Sequence, residues 1–129
     1  MILLYIDNDP DFFPILVHFC ENSGPIDVHQ EKTGAAAREW LVSNHVDVIV
    51  SEHDLPDMSG IRLLELLRDG GNLTPFIFFT VNESPLNKER AHRIGAYGYI
   101  TRTGTGKQPI LHLMRMLSWV AHDVQRRSR

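Results

Sequence analysis

The chain has 129 residues, of which 43% are hydrophobic and 22% are charged, a composition typical of a single globular domain. A net charge of −3 gives no basic surface of the kind that binds nucleic acid, and the single cysteine, Cys20, excludes a disulfide framework and a thiolate metal site. The amino-terminal apolar run reaches Asp7 too soon for a signal peptide or a membrane span. We therefore expect a cytosolic protein that contacts neither nucleic acid nor membrane.

Five short apolar segments predict β-strands, at residues 2–6, 26–29, 46–50, 76–79 and 97–100. The first, third and fourth are apolar almost throughout, which suits strands covered on both faces in a parallel sheet. Residues 26–29 alternate between apolar and polar side chains, as an edge strand does.

A segment with helix boundaries follows each predicted strand. Asp9 and Ser84 each stand before a proline and predict an N-cap, whereas Pro14 predicts a late or kinked first helix because it lacks an N–H. Glycines mark helix ends at Gly34, Gly60, Gly70, Gly71 and Gly95. The alternation predicts a flavodoxin-like (βα)₅ domain with a doubly wound parallel sheet in the strand order 2-1-3-4-5. We expect one domain over residues 1–125, with a basic tail at 126–129 as a candidate junction to a following domain.

Polar side chains are predicted to meet at one edge of this sheet. In a doubly wound sheet, the loops after strands one, three, four and five line one crevice. The residues at those strand ends are Asp7, Asn8, Asp9, Glu52, Thr80 and Arg102. Three carboxylates, a carboxamide, a hydroxyl and a guanidinium are therefore expected to face each other.

Four motifs follow one another at these strand ends: residues 6–10 (IDNDP), 52–60 (EHDLPDMSG), 79–81 (FTV) and 95–102 (GAYGYITR). In order and spacing they resemble the acidic turn, the phosphoacceptor loop, the strand-four Thr motif and the Gly-Ala-x-x-Tyr-x-x-Lys ending of the receiver domains of two-component response regulators. The resemblance covers essentially the whole chain.

The resemblance implies a signalling module rather than an enzyme. In this family a phosphoryl group passes from a phosphohistidine to an Asp with the help of Mg²⁺, and a Lys, a Thr and a Tyr respond to it. By position, Glu52 stands at the phosphoacceptor, Arg102 at the Lys, and Thr80 and Tyr99 at the switch residues. The implied partner is a sensor histidine kinase or another signalling domain.

The predicted metal site departs from the family pattern. Asn8 occupies the position of an acid that usually binds the metal directly, and the lost charge weakens a site for Mg²⁺, which prefers carboxylates. The residues left for a weak or lost Mg²⁺ site are Asp7, Asn8, Asp9, Glu52 and Asp54. Mg²⁺ remains a candidate cofactor, bound more weakly than in the family.

Two further departures affect phosphoryl transfer itself. The extra methylene of Glu52 misplaces its carboxylate for in-line attack, and an error of about 1 Å can cost about 10²-fold in rate. The planar guanidinium of Arg102 suits a fixed pair with that carboxylate. These changes predict an atypical receiver that acts through protein contacts in a fixed or phosphate-independent state.

Other interpretations remain open at this point. The chain could be a phosphorylatable, Mg²⁺-dependent receiver despite its substitutions, or a site that lost its acceptor by neutral drift. A metal-dependent hydrolase is a remote alternative, because no nucleophile–base pair is evident and no catalytic residue can be assigned. His53, beside the acids, is expected to be a solvated loop residue.

The last predicted helix carries an apolar stripe for the core, with Trp119 on the opposite side and Met116 near it. An exposed Trp is a candidate interface anchor. In receivers the face formed by helix four, strand five and helix five serves dimerisation, and Tyr99, Met116 and Trp119 are expected on or beside it. Local packing of Trp119 is the alternative.

Overall fold

The computed structural model describes residues 1–102 and 106–127. Within them, strands and helices alternate in the order β1 (Ile2–Ile6), α1 (Phe12–Glu21), β2 (Asp27–Glu31), α2 (Gly34–Ser43), β3 (Val48–Ser51), α3 (Gly60–Asp69), β4 (Phe76–Thr80), α4 (Pro85–Arg93), β5 (Gly98–Thr101) and α5 (Gln108–Arg127). All paired strands are parallel, and the sheet order β2-β1-β3-β4-β5 confirms the predicted topology. No helix in this part of the chain is long and apolar enough to cross a membrane.

The strands in the middle of the sheet are buried on both faces. Every residue of β3 and β4 is buried, and alternate residues of β1 point to opposite sides. Leu3 and Tyr5 pack in the layer formed with α1 and α5, whereas Leu4 and Ile6 pack in the layer formed with α2, α3 and α4. Each such side chain contributes about 1.5–3 kcal/mol on burial. β2 is less buried and lies at one edge of the sheet, as predicted.

Helix α1 begins later than its sequence signal suggests. Asp9 does not cap it, because its Oδ1 instead accepts a hydrogen bond from the N–H of Asp11 at 2.9 Å. The late start puts Pro14 in the first turn, where an N–H would have no helical acceptor. The expected late helix is therefore confirmed, and the Asp9 cap is wrong. At α4 the signal is confirmed, since Ser84 Oγ accepts the N–H of Asn87 at 3.3 Å.

The carboxyl-terminal helix runs past the predicted domain boundary. α5 continues to Arg127 and so includes the first two residues of the predicted tail 126–129. The last two tail residues lie outside the described part of the chain. The boundary at 125 and the junction to a following domain stay predictions.

Candidate functional site

The carboxylate of Glu52 is the centre of the crevice at the carboxyl edge of the sheet. Its residue is only 5% exposed, directly after β3. Oε1 accepts hydrogen bonds from the hydroxyl of Thr80 and from the N–H of His53, the latter at 2.7 Å. Oε2 accepts from Arg102 Nη2 at 3.1 Å and from the N–H of Val81 at 3.4 Å. A buried carboxylate needs such partners, because desolvation of an unpaired charge is costly.

Arg102 brings a cation to the same place from the end of β5. Its Nη2 donates to Asp7 Oδ2 at 3.2 Å as well as to Glu52, and its Nη1 lies 3.8 Å from Asp9 Oδ2. The main-chain N–H of Arg102 donates to the carbonyl of Thr80 at 2.6 Å, which extends the pairing of β5 with β4. One guanidinium thus contacts all three acids that face the crevice.

The guanidinium of Arg102 also lies over two aromatic rings. Its Cζ is 4.7 Å from the ring centroid of Phe12 in α1 and 5.3 Å from that of Phe79 in β4. Such cation–π contacts strengthen when the cation is desolvated, and this side chain is only 15% exposed. Its Nε is buried and makes no hydrogen bond to the described residues.

Asp7 is buried and has partners on both oxygens. The hydroxyl of Tyr5 donates to Oδ2 at 2.5 Å, and the N–H of Asp9 donates to Oδ1 at 3.1 Å. Burial, together with the hydrogen bond to the Asp7 carboxylate, raises the pKa of Tyr5 well above its usual range.

The two predicted switch residues are joined through the loop after β4. Thr80 Oγ1 accepts the N–H of Asn82 at 3.0 Å while its hydroxyl donates to Glu52. The hydroxyl of Tyr99 donates to the main-chain carbonyl of Asn82 at 3.0 Å, and Tyr99 is only 6% exposed. Burial, then the charges of Glu52 and Asp54, raise the pKa of Tyr99 to about 12.

Sequence reasoning missed the role of Asn82. Its Oδ1 accepts the N–H of Ser84 at 3.0 Å, and its Nδ2 donates to Asp54 Oδ2 at 3.3 Å. The available signal was an Asn two residues before the Ser-Pro start of α4, where a side-chain oxygen can satisfy a free N–H. The expectation for His53 is also wrong: it is buried beside Phe78, with Nδ1 3.0 Å from Asp54 Oδ1.

Asp57 is a second residue that the sequence did not single out. Its two carboxylate oxygens accept the N–H groups of Gly34 and Ala35, each at 2.9 Å. Negative charge is favoured at a helix N-terminus, so this contact ties the loop after β3 to the start of α2. Met58 packs on Gly34 so closely that a Cβ there would lie 2.5 Å from its Sδ.

The three predicted interface residues differ in how much of each side chain is exposed. Tyr99 points into the core, and Met116 is half-buried against Gly98, where a Cβ would lie 2.5 Å from the Met116 Sδ. Trp119 is 51% exposed on α5. Of the three, Trp119 alone presents a large exposed apolar surface, because strand alternation turns Tyr99 inward and the missing side chain of Gly98 admits Met116.

The fold and this site together define a flavodoxin-like domain with an acidic crevice at the carboxyl edge of its sheet. The sequence matches the response regulator receiver domain family over residues 3–112, and the chain belongs to that family.

Individual relatives agree with this assignment. The heme response regulator HssR of Staphylococcus aureus is 26% identical over 114 residues, which are 88% of this chain and 50% of that protein. The chain thus spans about half the length of the curated relatives it matches. Among solved structures, the receiver domain of the Francisella response regulator 1452 is similar with a TM-score of 0.83 and 25% identity, over 95% of this chain and 98% of that one. The chemotaxis response regulator CheY4 of Vibrio cholerae shares the fold, with a TM-score of 0.76 and 22% identity over 89% and 97% of the two chains.

Receiver domains are signalling modules, not enzymes; they interact with histidine kinases and typically bind Mg²⁺ in the acidic pocket. The residues of this pocket do not fit that ion. The Asn8 side chain is exposed, and the Asp54 carboxylate is turned toward His53 and Asn82. In the described ranges no three His, Cys, Asp or Glu side chains are arranged to hold a metal. The acids that remain, Asp7, Asp9 and Glu52, are those in contact with Arg102.

Proposed function

We propose that this chain is the receiver part of a two-component response regulator whose phosphoacceptor site is degenerate, and that it acts through protein contacts in a phosphate-independent state. One observation carries the proposal: the buried carboxylate of Glu52 is bonded by the Thr80 hydroxyl and the Arg102 guanidinium at once. In the family, the residues at the positions of Thr80 and Arg102 bind the phosphoryl group. In this chain, the Glu52 side chain already forms hydrogen bonds with both residues.

The same contacts make Glu52 a poor acceptor. Its Oε1 has three donors and its Oε2 has two, although the contacts to Val81 at 3.4 Å and Asp54 at 3.5 Å are long. Attack on a phosphoryl group requires a free lone pair directed at phosphorus, and freeing one breaks hydrogen bonds to a charged group, each contributing about 1.5–3 kcal/mol. Glu52 is also nearly inaccessible to a partner's phosphohistidine.

The engaged carboxylate also favours one arrangement of the switch residues. Thr80 is held toward Glu52, and its Oγ1 fixes the loop at Asn82, whose carbonyl accepts from Tyr99. A permanent bond that favours one of two conformations shifts the population in the same way as a ligand. We infer that Glu52 holds Tyr99 inward without a phosphoryl group.

The partners follow from this reading as proposals. The half-exposed Trp119 on α5 supports a protein contact through the α4–β5–α5 face, either with a second copy of the chain or with another signalling domain. The sensor histidine kinase, the cytosolic location and the absence of nucleic-acid binding stay predictions.

Phosphorylation in vitro tests the proposal. The chain is incubated with acetyl phosphate and Mg²⁺, and its intact mass is followed before and after hydroxylamine. We expect no labile adduct on the natural sequence. The variant N8D/E52D/R102K, which returns three positions to the family pattern, is the positive control and is expected to be labelled.

The matched control is N8D/R102K, which restores the surroundings but keeps Glu52. We expect it to stay unlabelled, because the acceptor geometry is still wrong. A stoichiometric hydroxylamine-labile adduct on the natural sequence would overturn the proposal in favour of a phosphorylatable receiver.

A further inference from the structure

We propose that Arg102 is the resident cation of the acidic crevice and that its guanidinium excludes a divalent metal ion. As a consequence, the charge of the crevice would be set by Arg102 and not by the concentration of free Mg²⁺. This regulatory consequence rests on the proposed function.

The oxygens that a metal would use already have donors. Asp7 Oδ2 accepts from Tyr5 and Arg102, and Asp7 Oδ1 accepts from the N–H of Asp9. Both oxygens of Glu52 are bonded. Asp9 Oδ2 is the least engaged, at 3.8 Å from the guanidinium. Mg²⁺ requires near-octahedral ligands at about 2.0–2.1 Å, so it would have to displace several of these bonds at once.

Arg102 is held in place by more than its acidic partners. Its main-chain N–H is bonded to the carbonyl of Thr80, and its guanidinium lies over the rings of Phe12 and Phe79. Swinging the side chain out would expose both rings to water. A metal ion that entered beside it would share a crevice of low dielectric constant with a second cation, and the repulsion between the two would weaken metal binding.

The Nε of Arg102, for which the described residues offer no hydrogen-bond acceptor, is an independent sign of this role. A guanidinium that served only to satisfy its own hydrogen bonds would place all its N–H groups on acceptors. Here Nη1 and Nη2 face the acids while the buried Nε has no acceptor among the described residues. The orientation therefore favours charge compensation of the acids over complete hydrogen bonding.

Direct metal binding tests the inference. Free Mn²⁺ is measured by electron paramagnetic resonance while it is titrated with the full chain, and thermal unfolding is followed with Mg²⁺ or with a chelator. We expect no saturable Mn²⁺ binding by the natural sequence and no effect of Mg²⁺ on its melting temperature. In R102M the side chain keeps its apolar contact with the rings, and the acids lose their counter-ion.

For R102M we expect Mn²⁺ affinity to rise at least about tenfold, equivalent to about 1.4 kcal/mol. Its melting temperature should then rise with Mg²⁺ concentration by mass action. The double variant R102M/E52Q should lose most of this gain. R38M removes the same charge from the exposed face of α2 and should behave like the natural sequence.

Two results would overturn the inference: saturable Mn²⁺ binding by the natural sequence as tight as that of R102M, or a folded R102M that fails to bind. If R102M unfolds in chelator, its fold is followed by circular dichroism as Mn²⁺ is added. Recovery of the fold supports the inference. No recovery in either R102M or R102Q contradicts it.

The result is separable from that of the phosphorylation assay. A natural chain that binds Mn²⁺ but forms no phosphoryl adduct defeats only the present inference, whereas a labile adduct on a chain that binds no Mn²⁺ defeats only the proposed function.

Discussion

The carboxylate of Glu52 and the guanidinium of Arg102 meet 3.1 Å apart, although 50 positions separate them in the chain. One residue follows β3 and the other follows β5, so the contact spans the end of β4 between them. Thr80 lies at that end: its hydroxyl donates to Glu52, and its main-chain carbonyl accepts from the N–H of Arg102. The pair therefore joins the ends of three neighbouring strands.

Loss of the Arg102 charge should destabilise the domain far more than loss of an exposed arginine. Removing one partner of a buried pair costs about 3–5 kcal/mol, and the low end is expected here because the side chain is still partly exposed. Arg102→Gln in chelator should therefore lower the free energy of unfolding by about 3 kcal/mol in urea denaturation. Arg93→Gln, which breaks the exposed pair with Glu89, should change it by less than about 0.5 kcal/mol. Equal effects would contradict the buried pair.

The hydroxyl of Thr80 should contribute to stability through two bonds. Thr80→Val preserves the shape but removes one of the donors to Glu52 Oε1 and leaves the N–H of Asn82 without its acceptor. A buried polar group left unpaired costs about 1–3 kcal/mol, so we expect a loss in that range in urea denaturation. Thr80→Ser keeps the hydroxyl and should lose clearly less. A Val variant as stable as the Ser variant would show that the hydroxyl is not needed.

Stability should fall in alkali as Tyr99 titrates. The pKa of Tyr99 is raised to about 12 in the folded chain, above its ordinary value of 10.0, so the folded state keeps a proton that the unfolded state releases. Its contribution is complete below pH of about 10 and is lost as the pH rises toward about 12. Urea midpoints measured across this window should decrease, and Tyr99→Phe should decrease less steeply.

The tyrosinate absorbance gives a second reading of the same effect. The pKa values of Tyr5 and Tyr97 are also raised, chiefly by burial. Tyr5 and Tyr99 are buried, so at a pH near the ordinary tyrosine pKa their tyrosinate signal should be absent from the native protein and should appear together with unfolding. A full tyrosinate signal from native protein near that pH would contradict the buried arrangement.

The thiol of Cys20 should be unreactive in the folded chain. It is buried, and burial, with the nearby charge of Glu21, raises its pKa to about 11. The thiolate is the reactive form, so a disulfide reagent at mildly alkaline pH should modify the native protein far more slowly than the protein in urea. Comparable rates in the two conditions would mean that the layer between α1 and the sheet opens readily.

The sheet and its crevice could be predicted because their signals are local. Continuous apolar runs identify buried parallel strands, and every predicted strand is present with bounds shifted by no more than two residues. The contact between Glu52 and Arg102 follows from those strands, because β3 and β5 flank β4 and their carboxyl ends lie at the same edge of the sheet. The roles assigned to them remain proposals.

Other parts depended on contacts that no local pattern contains. Asn82 bonds to residues from three parts of the chain, and only the folded loop brings them together. Asp9 resembled a helix cap but is used in a turn. Strand alternation with the exposed Tyr97 predicts that Tyr99 points inward. The family resemblance instead predicts Tyr99 on or beside the interface face.

The hydrogen bond from Tyr99 has a consequence for how this domain tolerates mutation. Its acceptor is the main-chain carbonyl of Asn82, which every amino acid possesses. Position 82 can therefore vary in side chain without deleting the acceptor, provided that the loop keeps its path. Substitution of Thr80 or Tyr99 by a residue without a hydroxyl removes a group that links the crevice to β5. Substitution of Asn82, which lies between them in this link, leaves the main-chain acceptor in place.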